Sequence, residues 1–270
     1  MLSWNECDVG MPGIYYCEVL KNEKLAGDVD NRGAFAAHAI AVRCAELAHD
    51  VRPGQFLHIK CGAGSILRRP FSVCRVHGEA VEIVFEVKGE GTQWLSSADT
   101  GDYLDILGPL GNGFEIPDGR IAVVGGGLGA PPMLFAAASA KGSVTAILGF
   151  RDAGRVILFD DFQSVCDKVY LATDDGSAGT RGLVTGPLDE LLIAGGTDAV
   201  LSCGQIGMQK AVAKLCAQYG VPCQVSLEER MGCGVGACLV CACATKDGGS
   251  LQMSRVCKDG PVFDAARLVW

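Results

Sequence analysis

The chain has 270 residues, of which 49% are hydrophobic and 20% charged, with a formal net charge of −8. That length suits two or three domains with real cores, and the composition excludes a disordered chain. The acidic balance argues against a general nucleic-acid binder or a basic membrane-surface protein.

Residues 1–13 show neither a basic leader nor an apolar run, so no signal peptide is expected, and they read as an extension of no assigned role. The chain carries 14 cysteines. Without a secretory signal, these suit a reducing cytoplasm and metal-bound thiols better than a disulfide framework.

Elements follow in chain order. "GQFLHIKC" (54–61), "PFSVCRV" (70–76), "AVEIVFEV" (80–87) and "DYLDIL" (102–107) read as short strands, and "TQWLSSA" (92–98) as a helical turn. Many short strands without a long helical pattern predict an antiparallel barrel or sandwich over 14–116. From 117 to 225 the pattern changes. "RIAVVGGG", "SVTAILGF", "KVYLAT" and "AVLSCG" are apolar runs separated by the helix-like "PPMLFAAASA", "DDFQSVC" and "GMQKAVAKLCAQYG". Alternating strands and helices predict a parallel sheet covered on both faces. The uncharged stretch 121–140 mimics a membrane span in length. Its four glycines and two adjacent prolines fit a buried strand, a turn and a helix instead. Residues 226–270 form a third, cysteine- and glycine-rich part.

In that part Cys233, Cys238 and Cys241 have the spacing C-x4-C-x2-C, and Cys257 follows after fifteen residues. This is the plant-type pattern of a [2Fe–2S] cluster. Gly234 and Gly236 remove side chains that would block a tight wrap. Structural zinc and free buried thiols are the competing readings; zinc favours two short Cys pairs. Cys243 is read as a bystander, and Cys7, Cys17, Cys44, Cys61, Cys74, Cys166, Cys216 and Cys223 as small core residues.

Upstream, Gly125, Gly127 and Ala130 satisfy G-x-G-x-x-A between a strand and a helix, a signature of pyrophosphate binding. Asp152, Asp174 and Asp175 are candidate ribose partners or solvated loop acids. In the first part Arg69 offers a bidentate fork for phosphate. Ser72 offers a hydroxyl on a strand, and Gly89, Gly91 and Thr92 form a phosphate-sized loop.

Taken in order, "RRPFS", "KGEGTQWL", "VVGGGLGAPPM", the Thr173–Thr185 stretch and "ERMGCGVGACLVC" resemble the electron-transfer subunits of NAD-dependent (type B) dihydroorotate dehydrogenase, within the ferredoxin–NADP reductase superfamily. The resemblance spans about 14–260. It implies a Greek-key FAD barrel, a Rossmann-like NAD domain and a C-terminal [2Fe–2S] domain. It assigns Arg69, Pro70, Phe71, Ser72, Val84, Phe85, Glu86, Gly91 and Thr92 to FAD. Gly125, Gly127, Ala130 and Cys203 go to NAD, and Cys233, Cys238, Cys241 and Cys257 to the cluster. No acid–base catalytic residue is expected. The implied activity is a relay between NAD, FAD, the cluster and an FMN-containing catalytic partner subunit. That partner is expected to meet the edge around Gly232–Cys241. Two departures stand out. Phe71 replaces a smaller aliphatic residue, and Cys203-Gly204-Gln205 replaces Cys-Gly-Pro. A ferredoxin:NADP or sulfide oxidoreductase subunit is the alternative enzyme, and a zinc-stabilised nucleotide-binding interaction module the alternative of another class.

Overall fold

Residues 12–27 and 35–270 are described in the computed structural model. The first strands are β1 (Gly13–Gly27) and β2 (Ala36–Arg43), followed by the short helix α1 (Ala45–Asp50). Then come β3 (Phe56–Ile59), β4 (Arg69–His77), β5 (Ala80–Glu86), helix α2 (Glu90–Ser96) and β6 (Tyr103–Leu110). The six strands pair antiparallel in the order β1-β2-β5-β4-β3-β6 and close on themselves. Closure leaves no unpaired sheet edge. Because side chains alternate across a strand, Leu57, Ile59, Val73, Val81, Ile83, Leu104 and Ile106 fill the interior.

The apolar runs of the second part become β7 (Ile121–Gly126), β8 (Val144–Phe150), β9 (Lys168–Thr173), the two-residue β10 (Thr180–Arg181), β11 (Ala199–Cys203) and β12 (Cys223–Ser226). Between them lie α3 (Ala130–Ser139), α4 (Phe159–Val165), α5 (Thr185–Ile193) and α6 (Ile206–Tyr219). Strands β10-β9-β8-β7-β11-β12 run parallel in that spatial order. Order reverses between β7 and β11, which is the switch point where ligands bind in such sheets. The two-residue strand period sorts the core. Ile121 and Val123 pack with Met133, Leu134 and Phe162, while Ala122 and Val124 pack with Leu188 and Val212 on the opposite face. The uncharged stretch 121–140 is therefore β7, a turn and α3. Among the described residues no helix is long and apolar enough to cross a membrane.

The last segment forms a hairpin, β13 (Ala242–Asp247) and β14 (Ser250–Arg255), then β15 (Val262–Asp264). Strand β15 pairs antiparallel with β12, extending the parallel sheet to seven strands. Cys241 and Cys257 share a core with Phe56 of the barrel and with Val212 and Val225. The barrel is also fastened to the second part. Ala39, Cys74 and Val84 join the α3 core, and Arg75 pairs with Glu82 at 2.7 Å and with Asp161 of α4 at 2.8 Å.

Candidate functional site

A cavity of about 310 Å3 opens where β4 and β5 meet the start of α3 and the chain after β12. Pro70, Phe71, Ser72, Val84, Phe85, Glu86 and Thr92 stand in its wall. The rings of Phe71 and Phe85 tilt against each other with centroids 5.6 Å apart. Thr92 Oγ1 accepts from the Lys88 N–H at 2.8 Å and the Gly89 N–H at 3.1 Å, fixing the turn into α2. Arg69 and Gly91 are not in the wall. They lie against each other, a Cβ on Gly91 falling 3.5 Å from Arg69 Nε, and Arg69 Nη1 donates to the Leu67 carbonyl at 2.7 Å.

A second cavity, about 640 Å3, lies at the carboxyl ends of β7, β8, β9 and β11, on the switch point. Gly126, Gly127, Leu128 and Gly129 form its phosphate-sized turn. Gly125 and Ala130 lie behind it. A Cβ on Gly125 would sit 2.8 Å from Ala130 Cα, so this pair sets the close packing of strand on helix. Gly204, with φ +149°, approaches as closely from the other side, a Cβ there falling 3.1 Å from the Gly126 backbone. Buried Gln209 holds that loop by donating to the carbonyls of Gly204 (2.6 Å) and Ser226 (2.9 Å). Of the three candidate ribose acids, Asp174 lines the cavity. Asp152 pairs with Arg155 at 3.5 Å, and Asp175 accepts from the Ser177 hydroxyl at 2.6 Å. Arg151 and Arg155 add positive charge to the same wall.

The two cavities share Glu86, Lys88, Leu128 and Glu228. Lys88 Nζ pairs with Glu86 Oε2 at 2.8 Å. Burial raises the Glu228 carboxyl above its ordinary range, and the Lys88 charge opposes the rise. Cys203 lines neither cavity. Its side chain falls on the α3 face of β11, 1% exposed. Burial lifts its thiol, while the Ser226 hydroxyl and the Gly204 N–H face the sulfur. Ser226 is the group that reaches the first cavity. Of the shared residues Glu86 was expected, Lys88 and Leu128 lie within the quoted motifs without an assigned role, and Glu228 escaped sequence reasoning. Only the position of "SLEERM" directly before the cysteine motif hinted at Glu228.

The four expected ligands come together at the tip of the last segment. Cys233 and Cys238 are hydrogen-bond neighbours, as are Cys241 and Cys257. Backbone amides point at the sulfurs. Ala237 N–H donates to Cys233 Sγ at 3.2 Å, Gly236 N–H to Cys257 Sγ at 3.1 Å, and Cys257 N–H to Cys241 Sγ at 3.4 Å. Burial works to raise the Cys233 thiol. The N–H groups of Val235, Cys238 and Ala237 outweigh it and draw the thiol down to about 6. Burial pushes Cys257 up to about 12. Cys243 sits half-buried on β13 outside this set. All cysteines among the described residues are free, and Cys7 lies outside them. Among the described residues no group of three or more His, Cys, Asp or Glu side chains is arranged to hold a single metal ion.

Residues 228–269 match the model of the iron–sulfur cluster binding domain of dihydroorotate dehydrogenase B. The chain is 43% identical over 220 residues to the dihydroorotate dehydrogenase B (NAD(+)) electron transfer subunit of Caldanaerobacter subterraneus subsp. tengcongensis, covering 81% of this chain and 87% of that one. The chain belongs to that family. The corresponding subunit of Desulforamulus reducens is 39% identical, with 83% and 89% covered. Among solved structures, an NADH-dependent reduced ferredoxin–NADP oxidoreductase superposes with a TM-score of 0.81 at 30% identity, covering 96% of this chain and 91% of that chain. The fold alone is shared with a flavohemoglobin from Malassezia yamatoensis, TM-score 0.60 at 15% identity, covering 77% and 57%.

Proposed function

We propose that this chain is the electron transfer subunit of an NAD-dependent dihydroorotate dehydrogenase, serving pyrimidine biosynthesis. It would place FAD in the first cavity, NAD in the second and a [2Fe–2S] cluster on Cys233, Cys238, Cys241 and Cys257. Three units would do this work: 14–116 for FAD, 117–225 for NAD and 226–270 for the cluster. The observation that carries the reading is spatial. Two nucleotide-sized cavities meet at four shared residues, and a four-thiol loop lies beside them in the same chain.

The thiols suit the cluster. A two-iron core takes two external thiolates per iron, and the sulfurs fall into two pairs with amides directed at them. The first cavity suits a flavin. Its wall is largely apolar, with Ser72, Thr92 and Glu86 at fixed positions, the usual make-up of a cofactor site. When bound, the flavin exchanges a hydride with the nicotinamide and single electrons with the cluster. The protein's part is placement. Ser72 would offer its hydroxyl to the flavin nucleotide, and Thr92 holds the Lys88–Gly89 turn into α2. Arg69, beside Gly91 and outside the wall, would offer its guanidinium to a phosphate, and the Gly126–Gly129 turn its amides to the NAD pyrophosphate. Glu86, Lys88 and Glu228 set the charge where the two cofactors meet.

The partner, an FMN-containing catalytic subunit, would dock on the cluster tip. Val235, Leu239 and Val240 are 46%, 64% and 57% exposed there, around the exposed Cys238. Leu239 is held at φ +60°, a conformation that costs a bulky residue about 1–2 kcal/mol. Such strain is tolerated where display of the side chain matters.

Purified protein should show flavin and [2Fe–2S] absorbance and capture the orotate-forming subunit in a pull-down. A colourless, zinc-loaded sample would sink the reading in favour of an interaction module. A ferredoxin:NADP-type subunit is the second enzyme reading, supported by the 0.81 superposition. Flavin and iron without capture of the orotate-forming subunit would favour it.

A further inference from the structure

Strand β3 is buried along its whole length, although only alternate residues face the barrel interior. Leu57 and Ile59 point inward. Phe56 points outward and shares a core with Cys241 and Cys257. His58 shares the outward face and is 1% exposed. The ring meets the cluster loop at Gly234. A Cβ built on Gly234 would fall 2.5 Å from His58 Nδ1, so only glycine leaves room for the imidazole.

Neither ring nitrogen has a partner at full hydrogen-bond geometry. The carbonyls of Arg68 and Cys233 both face the ring. An unpartnered polar group this deep is unfavourable, and native structures rarely leave one. The remaining surroundings are fixed. Arg68 Nη1 donates to the His58 carbonyl at 3.3 Å and to the Asp105 carbonyl at 2.8 Å, anchoring β3 from behind. His58 stands opposite Pro70 in the β3–β4 register, and Pro70 lines the flavin-sized cavity.

We propose that His58 is a positioning residue for the cluster, its ring N–H donating to the Cys233 carbonyl and so fixing the first turn of the 233–238 loop. This rests on the reading of Cys233, Cys238, Cys241 and Cys257 as cluster ligands. The consequence follows from the loop's amides. Ala237 and Gly236 direct their N–H groups at Cys233 Sγ and Cys257 Sγ. Amide donation to ligand sulfur stabilises the more negative, reduced state and raises the potential. A loop released from His58 rotates its first peptide, lengthens those bonds and lowers the potential. The flavin barrel thereby sets the properties of a cluster bound by a distant stretch of sequence.

The test uses the full chain with its cofactors and compares His58→Gln, which keeps an N–H donor, with His58→Phe, which keeps bulk alone. Iron and flavin contents, the EPR spectrum of the reduced cluster and both midpoint potentials are measured. His58→Phe is expected to shift the EPR g-values and move the cluster midpoint to a more negative potential, with the flavin midpoint unchanged. His58→Gln is expected to recover most of both shifts. Wild-type EPR and potential in His58→Phe would overturn the proposal, as would a displacement in His58→Gln as large as in His58→Phe. If His58→Phe does not fold, His58→Leu takes its place under the same criteria. Wild-type protein without iron would overturn the ligand assignment itself, a result distinct from iron-loaded variants with unshifted signals.

Discussion

Gly234 and Gly236 flank the same loop, and alanine at each should fail for different reasons. Both have positive φ, +73° and +83°, where an alanine costs about 1–2 kcal/mol. At Gly236 the added Cβ would meet Lys258 Cδ at 2.7 Å and Lys258 Cβ at 3.0 Å; the exposed stem can swing away, and the Cβ contact asks for a shift of a few tenths of an ångström at most. Gly236→Ala should therefore cost little beyond the backbone penalty. At Gly234 the added Cβ would lie 2.5 Å from a ring atom of His58, which is packed between β3 and the loop. Overpacking a closed site adds about 1–3 kcal/mol. Gly234→Ala should total about 2–5 kcal/mol, a large share of the 5–15 kcal/mol typical of a domain. Urea unfolding gives the stability loss, and iron per chain gives the loss of ligand geometry. Gly234→Ala should lose iron at a denaturant concentration where Gly236→Ala retains it. The double variant Gly234→Ala/His58→Ala should recover part of the loss, since removing the ring opens the space. Equal effects at the two glycines, or no recovery in the double variant, would refute the claim that the ring is held rigidly against the loop.

Three further outcomes are expected. Cys238→Ser should strip iron and the cluster absorbance, leave flavin bound and still reducible by NADH, and abolish electron transfer to the orotate-forming partner; survival of that transfer would remove Cys238 from the ligand set. Arg69→Ala should weaken flavin retention by about 10- to 100-fold, the equivalent of one charge-assisted phosphate contact, read as flavin occupancy after gel filtration. Glu228→Gln tests the cavity junction through pH. Burial raises this carboxyl in the folded state, so its protonated form favours folding at low pH, and that contribution is lost as pH rises through the folded pKa. Glu228→Gln should thus melt higher than wild type at pH 7, with the gap closing below the ordinary carboxyl range near 4.5. Melting curves across pH that stay parallel would contradict it.

The parts that were legible in sequence are those whose chemistry is local. The plant-type spacing of Cys233, Cys238 and Cys241 is local, so the expected ligands could be named from sequence, and the structure brings their thiols near one another. Strands β4 and β5 alternate cleanly because one face packs the barrel. Strand β2 does not stand out, because "AAHAIAVR" is rich in alanine, a good helix former, and its strand state is imposed by pairing with β1 and β5. Helix α5 was hidden behind a glycine-rich motif. Cys203 shows the opposite failure. Its place at the end of β11 was readable, but which way it points depends on the pleat, and the pleat turns it toward α3 rather than into a cavity. His58 and Glu228 were illegible for a single reason. Each acquires its meaning from a surface supplied by a remote segment.

Phe56 and His58 explain why the cluster segment is more than an appended ferredoxin-like tip. Phe56 lines the flavin-sized cavity and packs in the same core as Cys241 and Cys257, while His58, on the same face, touches the loop carrying Cys233. Strand β15 ties that segment to β12, whose last residue, Ser226, and whose continuation, with Glu228, stand in the cavity wall. The separation between a flavin in that cavity and the thiol loop is consequently set by close-packed side chains, which tolerate little adjustment. A tethered tip would sample many separations, and its transfer rate would follow linker length. Here the distance is a property of the core, so the sequence can vary at the exposed positions of β13 and β14, such as Lys246, Leu251 and Met253, but not at the outward face of β3.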